Sequence, residues 1–181
     1  MQALNLDTKL AYRVFTGGPL VCISTKNKQG TDNIMTAAWS CPYDTDVLLL
    51  VLDLGHTTTA NLKDGSKLVV ALPSKDQKDI ALKLGSVHGS ESGDKFEHFD
   101  LPYENSLKFG FKTLKDANAY FECELTDPEL LKDKGICLCK VLNVYVKEEL
   151  FDDESQSFVP GCLNTLHHVS GGSFSTSGEI V

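Results

Sequence analysis

Runs of apolar residues separated by turn residues predict an antiparallel sheet in the first third of the chain. Apolar runs cover residues 20–25, 32–40 and 47–54, and turn-forming residues separate them at 27–30 and 41–46. Runs of this length with short connections are typical of strands joined as hairpins. We therefore expect three successive antiparallel strands, the second of which contains the sequence Asn-Ile-Met-Thr-Ala-Ala-Trp-Ser.

Helix signals alternate with further strands in the rest of the chain. A Thr or Ser before a run and a Gly after it predict short helices at 60–65 and 75–84, the second with Gln77 in the capping-box position after Ser74. One helical turn is expected at 95–99. The remaining predicted elements are strands at 67–72, 119–125 and 135–147, a polar loop at 87–94 and an arm without periodicity at 151–181.

The predicted elements amount to six or seven strands and two or three short helices. This composition indicates a mainly β fold, an antiparallel β-barrel with short helical insertions, and not a doubly wound α/β sheet. No linker or internal repeat divides the chain. We expect a single domain over residues 1–181 whose last part, from about residue 151, forms a C-terminal arm.

The net charge and the hydropathy of the chain argue against certain classes of binding partner. The formal net charge of −8 argues against nucleic acid or an anionic membrane as a general partner. No apolar run approaches the ~20 residues needed to span a bilayer, and the N-terminus lacks the apolar segment of a secretory signal. We therefore expect a cytoplasmic protein with no nucleic-acid or membrane partner. A phosphate can still bind locally through backbone N–H groups and a few lysines.

The cysteines are predicted to be core residues and not disulfides or metal ligands. Cys22, Cys123, Cys137 and Cys139 fall within apolar runs, where cysteine behaves as a small hydrophobic residue. A cytosolic chain keeps such thiols reduced. Cys137 and Cys139 lie two positions apart, which is not the spacing of a zinc knuckle or of a redox helix.

The strand at 32–40 mixes apolar side chains with small and hydroxyl-bearing ones on both faces. Asn33, Met35, Ala37 and Trp39 would share one face, because side chains alternate along a strand. Two interpretations remain open at this point. The strand is half-buried with a packed tryptophan, or its small residues let a flat ligand approach the backbone closely.

Three successive threonines precede the predicted helix at 60–65. The N-terminus of a helix offers free N–H groups and the positive end of the helix dipole, which favour phosphate. The hydroxyls of Thr57, Thr58 and Thr59 add donors, and His56 adds a further polar group. The alternative is that one threonine only caps the helix, but three exceed what a cap requires.

Other candidate groups give weaker signals. Lys95 follows the polar loop and could meet a phosphate or a carbonyl of a ligand, although a surface lysine is usually only solvated. His167 and His168 are adjacent, so in an extended chain they point to opposite sides, which is poor geometry for a shared metal. We expect no metal site, and no nucleophile signature with a catalytic Ser or Cys is present.

Four ordered segments resemble the flavin reductase-like proteins, in particular the flavoredoxin-type branch. Residues 33–40 are similar to the family's N-x-M-T-x-x-W strand, and residues 93–96 to its G-x-D-K-F segment. The segments 56–62 and 67–73 together are similar to its R-x-T…F-V-V-N-x-P block. The tail, with Gly-Gly at 171–172 and Gly-Glu at 178–179, resembles the family's ending.

The resemblance implies a split β-barrel, Greek-key-like and antiparallel, that binds FMN as a homodimer with the flavin near the subunit interface. Residues 35–39 would border the isoalloxazine ring, residues 56–58 would hold the phosphate, and Lys95 would approach the flavin from its loop. No side chain is implied as a catalytic group. The implied cofactor-binding residues are Asn33, Met35, Thr36, Ala37, Ala38, Trp39, His56, Thr57, Thr58 and Lys95.

The implied function is electron transfer by an FMN-binding flavoprotein, either an NAD(P)H:flavin oxidoreductase or a carrier reduced by a protein donor. Three departures from the family pattern keep alternatives open: Ala71 replaces an asparagine, His56 replaces an arginine, and residues 42–46 replace a D-P-P turn. One alternative is a non-enzymatic module of the same fold that holds flavin or another planar ligand such as haem. Another is a barrel used only for protein interaction.

Overall fold

A computed structural model describes residues 18–64, 66–162 and 164–178. The described helices are short: α1 Thr57–Asp64, α2 Lys78–Ser86, α3 Gly89–Ser92, α4 Lys95–His98 and α5 Pro128–Lys134, with 3₁₀ turns at Lys75–Gln77 and Glu148–Leu150. The strands are β1 Val21–Lys26, β2 Asp32–Ala37, β3 Ser40–Asp44, β4 Val47–Val51, β5 Lys67–Leu72, β6 Tyr103–Asn105, β7 Lys112–Leu114, β8 Ala119–Leu125, β9 Ile136–Val146, β10 Phe151–Asp152, β11 Ser157–Phe158, β12 Leu166–Ser170 and β13 Ser173–Thr176.

Seven strands form one curled antiparallel sheet in the order β2-β1-β5-β8-β9-β4-β3. The two ends of the sheet approach each other where the chain passes from β2 to β3. There the Gly18 N–H donates to Ser40 O at 3.1 Å, and the Ser40 hydroxyl donates to Pro19 O at 2.7 Å. The sheet is therefore a curled half-barrel whose edge strands are β2 and β3.

The predicted single strand at 32–40 is wrong at its end, and the predicted turn at 41–46 is correct only at Thr45 and Asp46. Strand β2 stops at Ala37, and β3 occupies most of the predicted turn. The reason is a change of partner: β2 pairs with β1, whereas β3 pairs with β4. Between them, Trp39 O accepts a hydrogen bond from the Val51 N–H at 2.9 Å. Pro42 is tolerated because β3 is an edge strand.

Apolar side chains cover both faces of the sheet. The inner face holds a cluster that includes Ile23, Met35 and Leu50 together with Cys123, Cys137 and Cys139. The outer face holds a second cluster under α2 and α4, and Cys22 belongs to it. All four of these cysteines are buried free thiols, which confirms their prediction as core residues.

Several helix predictions need correction. Helix α1 begins at Thr57, three residues earlier than predicted, so the threonines form its first turn. The predicted helix at 75–84 is a 3₁₀ turn followed by α2, and the Ser74 N–H donates to Gln77 Oε1 at 3.0 Å as its capping box requires. Leu82 on α2 is exposed.

Other segments contain structure that the sequence pattern did not predict. The predicted polar loop at 87–94 contains α3, and the C-terminal arm contains two hairpins. Strands β6 and β7 and helix α5 were also not predicted. Leu166 of the arm packs with Leu20 and Ala81 of the same chain. The N-terminal segment at 1–17, the predicted helix stop at Gly65 and the predicted tail match at Glu179 lie outside the described residues.

None of the described helices has the length and apolar character required to cross a membrane.

Candidate functional site

Two cavities lie side by side along β2. The first, which we call the polar cavity, has a volume of about 60 Å³ and is lined by Asn33, His56, Thr57, Thr58, His88, Gly89 and Lys95 among others. The second, which we call the groove, has a volume of about 610 Å³ and runs from Trp39 past Leu54 to Lys134 and His168. Met35, Thr36 and His56 line both, so the two spaces adjoin.

The wall of the polar cavity joins β2 to α1. The Asn33 side-chain amide donates from Nδ2 to Thr58 Oγ1 at 2.9 Å, and Asn33 is only 3% exposed. The other end of this amide, Oδ1, has no hydrogen-bond partner within the described part of the chain, and neither has Nδ1 of His56. Buried polar atoms are rarely left unsatisfied. Two such atoms on one small cavity therefore indicate a site for a polar group.

The first turn of α1 points its backbone at the same cavity. The N–H groups of His56 and Ala60 have backbone acceptors, Asp53 O at 3.2 Å and His56 O at 3.1 Å. The intervening N–H groups belong to the first turn of a helix, where no intrahelical acceptor exists. The hydroxyls of Thr57 and Thr58 lie at the same end. This end of α1 therefore presents several donors to an acceptor-rich group.

The roof of the polar cavity comes from α2 and α3, where two glycines allow close contact. A Cβ added to Gly85 would lie 2.8 Å from Thr36 Oγ1. A Cβ added to Gly89 would clash with Asn33 Oδ1 and would lie 3.1 Å from Thr57 Cγ2. Both positions therefore exclude a larger residue unless the roof moves.

Lys95 is the cation of the polar cavity. It is 2% exposed, and its Nζ donates to Leu84 O at 2.9 Å, near the end of α2. Burial lowers the pKa of the Lys95 ammonium. No carboxylate in the described chain lies within ion-pair distance of Lys95 Nζ. A buried cation without a counter-ion is unfavourable, so an anion in this cavity would be stabilised.

A neighbouring ion pair fixes the helix that carries Lys95. The Asp94 carboxylate accepts from the Phe96 N–H at 2.8 Å as the N-cap of α4. Its second oxygen accepts from Lys112 Nζ, also at 2.8 Å. The hydrogen bond to Asp94 raises the pKa of Lys112, partly against the effect of burial. The pair holds α4 against β7.

The groove has a flatter and more apolar wall. Its floor is formed by Met35 and Ala37 of β2, and Ala38 and Trp39 continue it at the turn into β3. Trp39 is 53% exposed, so it is not a core residue, and its ring borders open space. Small side chains beside an exposed indole allow a flat group to lie along the backbone.

The polar cavity and the groove together fit a flat molecule that ends in a small anion. A volume of about 60 Å³ holds about four to six waters, which is enough for a phosphate group but not for a ring system. The groove is about ten times larger and can take the ring. The hydroxyls of Thr57 and Thr58, Nδ1 of His56 where it carries a proton, and the Lys95 ammonium supply donors that a phosphate requires, whereas the orphaned Asn33 Oδ1 is an acceptor.

All ten cofactor-binding residues that the resemblance implied line one of the two cavities, whereas Thr59, a further candidate donor, lines neither and donates from its hydroxyl to Asp53 O at 2.7 Å. Asn33, Thr57, Thr58 and Lys95 line the polar cavity, Met35, Thr36 and His56 line both, and Ala37, Ala38 and Trp39 line the groove.

The sequence pattern missed the roof and the far side of the groove. His88 and Gly89 lie in a segment predicted as a polar loop, and their signal was the glycine pair at 85 and 89. Ala71, treated as a lost polar contact, belongs to the outer apolar cluster and lines neither cavity. Lys134 and His168 reach the groove only through tertiary contacts.

His167 and His168 do not form a metal centre with each other. Nε2 of His167 lies 3.0 Å from Thr165 Oγ1, and Nε2 of His168 lies 2.8 Å from Gly171 O. Within the described ranges, no group of three or more His, Cys, Asp or Glu residues is placed to hold a metal ion.

The chain is similar to known proteins in sequence and in fold. The uncharacterized protein YddH of Escherichia coli K12 is 28% identical, over 98% of this chain and 96% of its own. An FMN-binding domain of a flavin reductases-like enzyme from Shewanella baltica superposes with a TM-score of 0.80, at 22% identity, over 97% of this chain and 94% of its own. The flavoredoxin of Desulfovibrio vulgaris superposes with a TM-score of 0.79, at 18% identity, over 100% and 95%.

The structural matches confirm the split β-barrel that the sequence resemblance implied. The family model of the flavin reductase like domain matches residues 13–170, which is most of the chain. The protein therefore belongs to the flavin reductase-like domain family.

Proposed function

We propose that the protein is an FMN-binding flavoprotein that transfers electrons, either as an NAD(P)H:flavin oxidoreductase or as a flavoredoxin-like carrier. The single observation that carries this proposal is the junction of the two cavities at Met35, Thr36 and His56. FMN has the matching shape, a flat ring joined by a short chain to a terminal phosphate. The names of the two superposed structures, an FMN-binding domain and a flavoredoxin, support the same cofactor.

In this proposal the polar cavity holds the phosphate. The hydroxyls and first-turn N–H groups of Thr57 and Thr58 donate to its oxygens, and the dipole of α1 adds a favourable field. Lys95, which is buried and forms no ion pair with a described carboxylate, supplies the positive charge opposite the phosphate. Asn33 orients Thr58 through their 2.9 Å hydrogen bond. The roof at Gly89 encloses the group.

Met35, Ala37, Ala38 and Trp39, which line the groove, would hold the ring. FMN, when bound, supplies the hydride and single-electron chemistry, while the protein binds, orients and tunes it. No side chain of the groove is required as a nucleophile or as a general base. Asn33 and Thr36 are the polar side chains of β2 that line the two cavities.

The proposed assembly is a homodimer. The inner face of the half-barrel carries an apolar cavity of about 710 Å³, lined by residues such as Val21, Leu48 and Phe121. Val144 at its rim is 57% exposed. An apolar concavity of this size is typical of a covered surface, and a second copy of this chain is the occupant that we propose. Light scattering of the purified protein tests this, and a monodisperse monomer would contradict it.

We infer a cytoplasmic location, and the supporting observation is the set of six free cysteines, four of them buried. Proteins of reducing compartments keep such thiols unpaired. The electron donor in this proposal is NAD(P)H or a reduced protein. The negative net charge of −8 disfavours nucleic acid as a partner.

Absorption spectroscopy tests the proposed function. The purified protein, incubated with FMN and separated from free ligand, is expected to retain a flavin spectrum. Anaerobic addition of NADH or NADPH in separate samples is then expected to bleach it if the protein is a reductase. Retained flavin without bleaching by either nucleotide would assign the carrier role. A haem band in the protein as isolated, with no flavin uptake, would overturn the proposal in favour of another planar ligand.

A further inference from the structure

Two histidines face each other at the mouth of the polar cavity. His56 precedes α1 and His88 precedes α3, and their ring centroids lie 5.7 Å apart at an interplanar angle of 50°. Both line the cavity. Nδ1 of His56 is buried and has no partner within the described chain. His56 therefore lines the polar cavity from the side of α1, and His88 lines it from the roof formed by α3.

The protonation of two neighbouring imidazoles depends on pH and on nearby charges. Histidine is the side chain whose charge changes nearest to neutral pH. A protonated imidazole donates from both ring nitrogens, whereas a neutral one donates from one only. Two imidazolium ions 5.7 Å apart, with the Lys95 ammonium in the same wall, repel each other. An anion bound beside both rings and the ammonium offsets that repulsion.

We propose that His56 and His88 form an imidazole pair that takes up protons when the terminal phosphate of the flavin binds, so that the protein selects a phosphate monoester over the uncharged alcohol and does so most strongly below neutral pH. This inference rests on the proposed function, because it assumes flavin in these cavities. It goes beyond that function in assigning the selectivity for FMN over riboflavin to a titratable pair.

The surrounding charges are consistent with this assignment. Lys95 of α4 is the other cation in the wall of the polar cavity. On the groove side, the titratable groups are Asp53, Lys134 and His168. Glu91 lies on α3 itself and is exposed. The Asp53 carboxylate accepts from the Gly55 N–H at 2.7 Å, so one of its oxygens already has a donor.

Because His88 lies in the roof and is exposed, it can be substituted to test its effect on ligand binding without disrupting the fold. His88 is exposed and precedes a helix of only four residues, so His88→Gln preserves polarity at a tolerant site. A matched control is His98→Gln, because His98 is also exposed but lines neither cavity and contacts Phe99 instead. His88→Arg keeps a cation but removes its titration.

The test is calorimetric titration of the full chain with FMN and with riboflavin, at pH 6 and pH 8.5, in buffers of different ionisation enthalpy. For the unmodified protein we expect the FMN-to-riboflavin affinity ratio to fall about tenfold from pH 6 to pH 8.5, with net proton uptake on FMN binding but not on riboflavin binding. His88→Gln is expected to lose most of both effects, and His98→Gln to retain them. His88→Arg is expected to keep the ratio high at pH 8.5.

Three results would overturn the inference, and they differ from one another. If both flavins bind with a ratio that does not change with pH or with His88→Gln, the pair has no role although the proposed function stands. If the ratio changes with pH equally in His88→Gln, the response belongs to the phosphate and not to the pair. If neither flavin binds at either pH, the proposed function fails as well.

Discussion

The Asn33 side chain on β2 donates from Nδ2 to the Thr58 hydroxyl on α1 at 2.9 Å, and this bond sits in the wall of the polar cavity. A second bond of the same chemistry joins α1 to β1, where Asn61 Nδ2 donates to Thr25 Oγ1 at 3.0 Å. All four residues are buried. Neither member of the second pair lines the polar cavity or the groove. The two pairs therefore separate structural from ligand-binding effects.

Asn33→Asp is expected to weaken FMN binding at least tenfold, while riboflavin binding changes less. The carboxylate can still accept from the Thr58 hydroxyl, but it places a negative charge beside the phosphate, and like charges in a buried site repel. Fluorescence titration with both flavins measures the effect. The control is Asn61→Asp, for which we expect loss of stability without a change in the FMN-to-riboflavin ratio. Equal ratios in both variants would contradict the placement of the phosphate.

Gly89→Ala is expected to reduce FMN affinity without unfolding the protein. The added Cβ would clash with Asn33 Oδ1 and crowd Thr57, so α3 must lift from the cavity. Gly172→Ala is the matched control, because a Cβ at that position has no atom within 4 Å and no positive φ opposes it. Equilibrium dialysis with FMN compares the two. If Gly89→Ala binds FMN as tightly as Gly172→Ala, the roof does not enclose the ligand.

Lys112→Met is expected to lower the free energy of unfolding by about 1 kcal/mol and to loosen the helix that carries Lys95. The control is Lys132→Met, which removes only an exposed pair with Glu129 at 3.4 Å and should change stability by less than about 0.5 kcal/mol. Urea unfolding measures both.

The pH dependence of this effect has a defined sign. The folded-state pKa of Lys112 is raised, chiefly by its hydrogen bond to Asp94. Its contribution is therefore fully present below the ordinary lysine pKa of about 10.4 and is lost as pH rises through the higher folded-state pKa. The difference between the unmodified protein and Lys112→Met should be constant from neutral pH to about pH 9 and shrink above it. A difference that grows with pH would contradict the assignment.

Glu122→Gln is expected to cost about 2–3 kcal/mol of stability. The buried carboxylate accepts from the N–H groups of Lys108 and Phe109 at 2.7–2.9 Å and from Asn143 Nδ2 at 2.7 Å. Glu124→Gln is the control, since that carboxylate accepts from the Ser66 hydroxyl at 3.0 Å and is less buried. It should cost less than about 1 kcal/mol.

Acid should remove the Glu122 contribution. Burial alone would raise the pKa of Glu122, but the hydrogen bonds from Asn143, Phe109 and their neighbours lower it overall. Its stabilisation is therefore present above the ordinary glutamate pKa of about 4.3 and is lost as pH falls through the lower folded-state pKa. Urea unfolding at neutral pH and near pH 3 compares the two; a gap between the unmodified protein and Glu122→Gln that persists in acid would contradict this.

The strands at β5, β8 and β9 could be predicted from the sequence, because each is a run with strand periodicity between clear turn residues. The break between β2 and β3 could not, since it depends on Trp39 pairing with Val51 of another strand. The sequence does contain the start and stop signals of helix α5: Asp127 caps it, Pro128 opens it, and Gly135 ends it with φ 69°.

The floor of the candidate site was predictable, but its roof was not. The polar and small residues of β2 and the threonines of α1 are unusual choices for a strand and a helix start, so they stand out in the sequence. His88 and Gly89 lie in a polar stretch with no periodicity, and only the fold brings them over Asn33 and Thr57. Lys95 begins the helical turn that was predicted at 95–99, but the burial of its side chain against Leu84 O was not predicted.

Titration of the purified chain with FMN, followed by flavin fluorescence, tests the central claim most directly. We predict saturable binding of one FMN per chain, which Asn33→Asp weakens and Asn61→Asp does not. Absence of saturable binding, or binding that both variants retain equally, would contradict the assignment of the polar cavity and the groove as a flavin site.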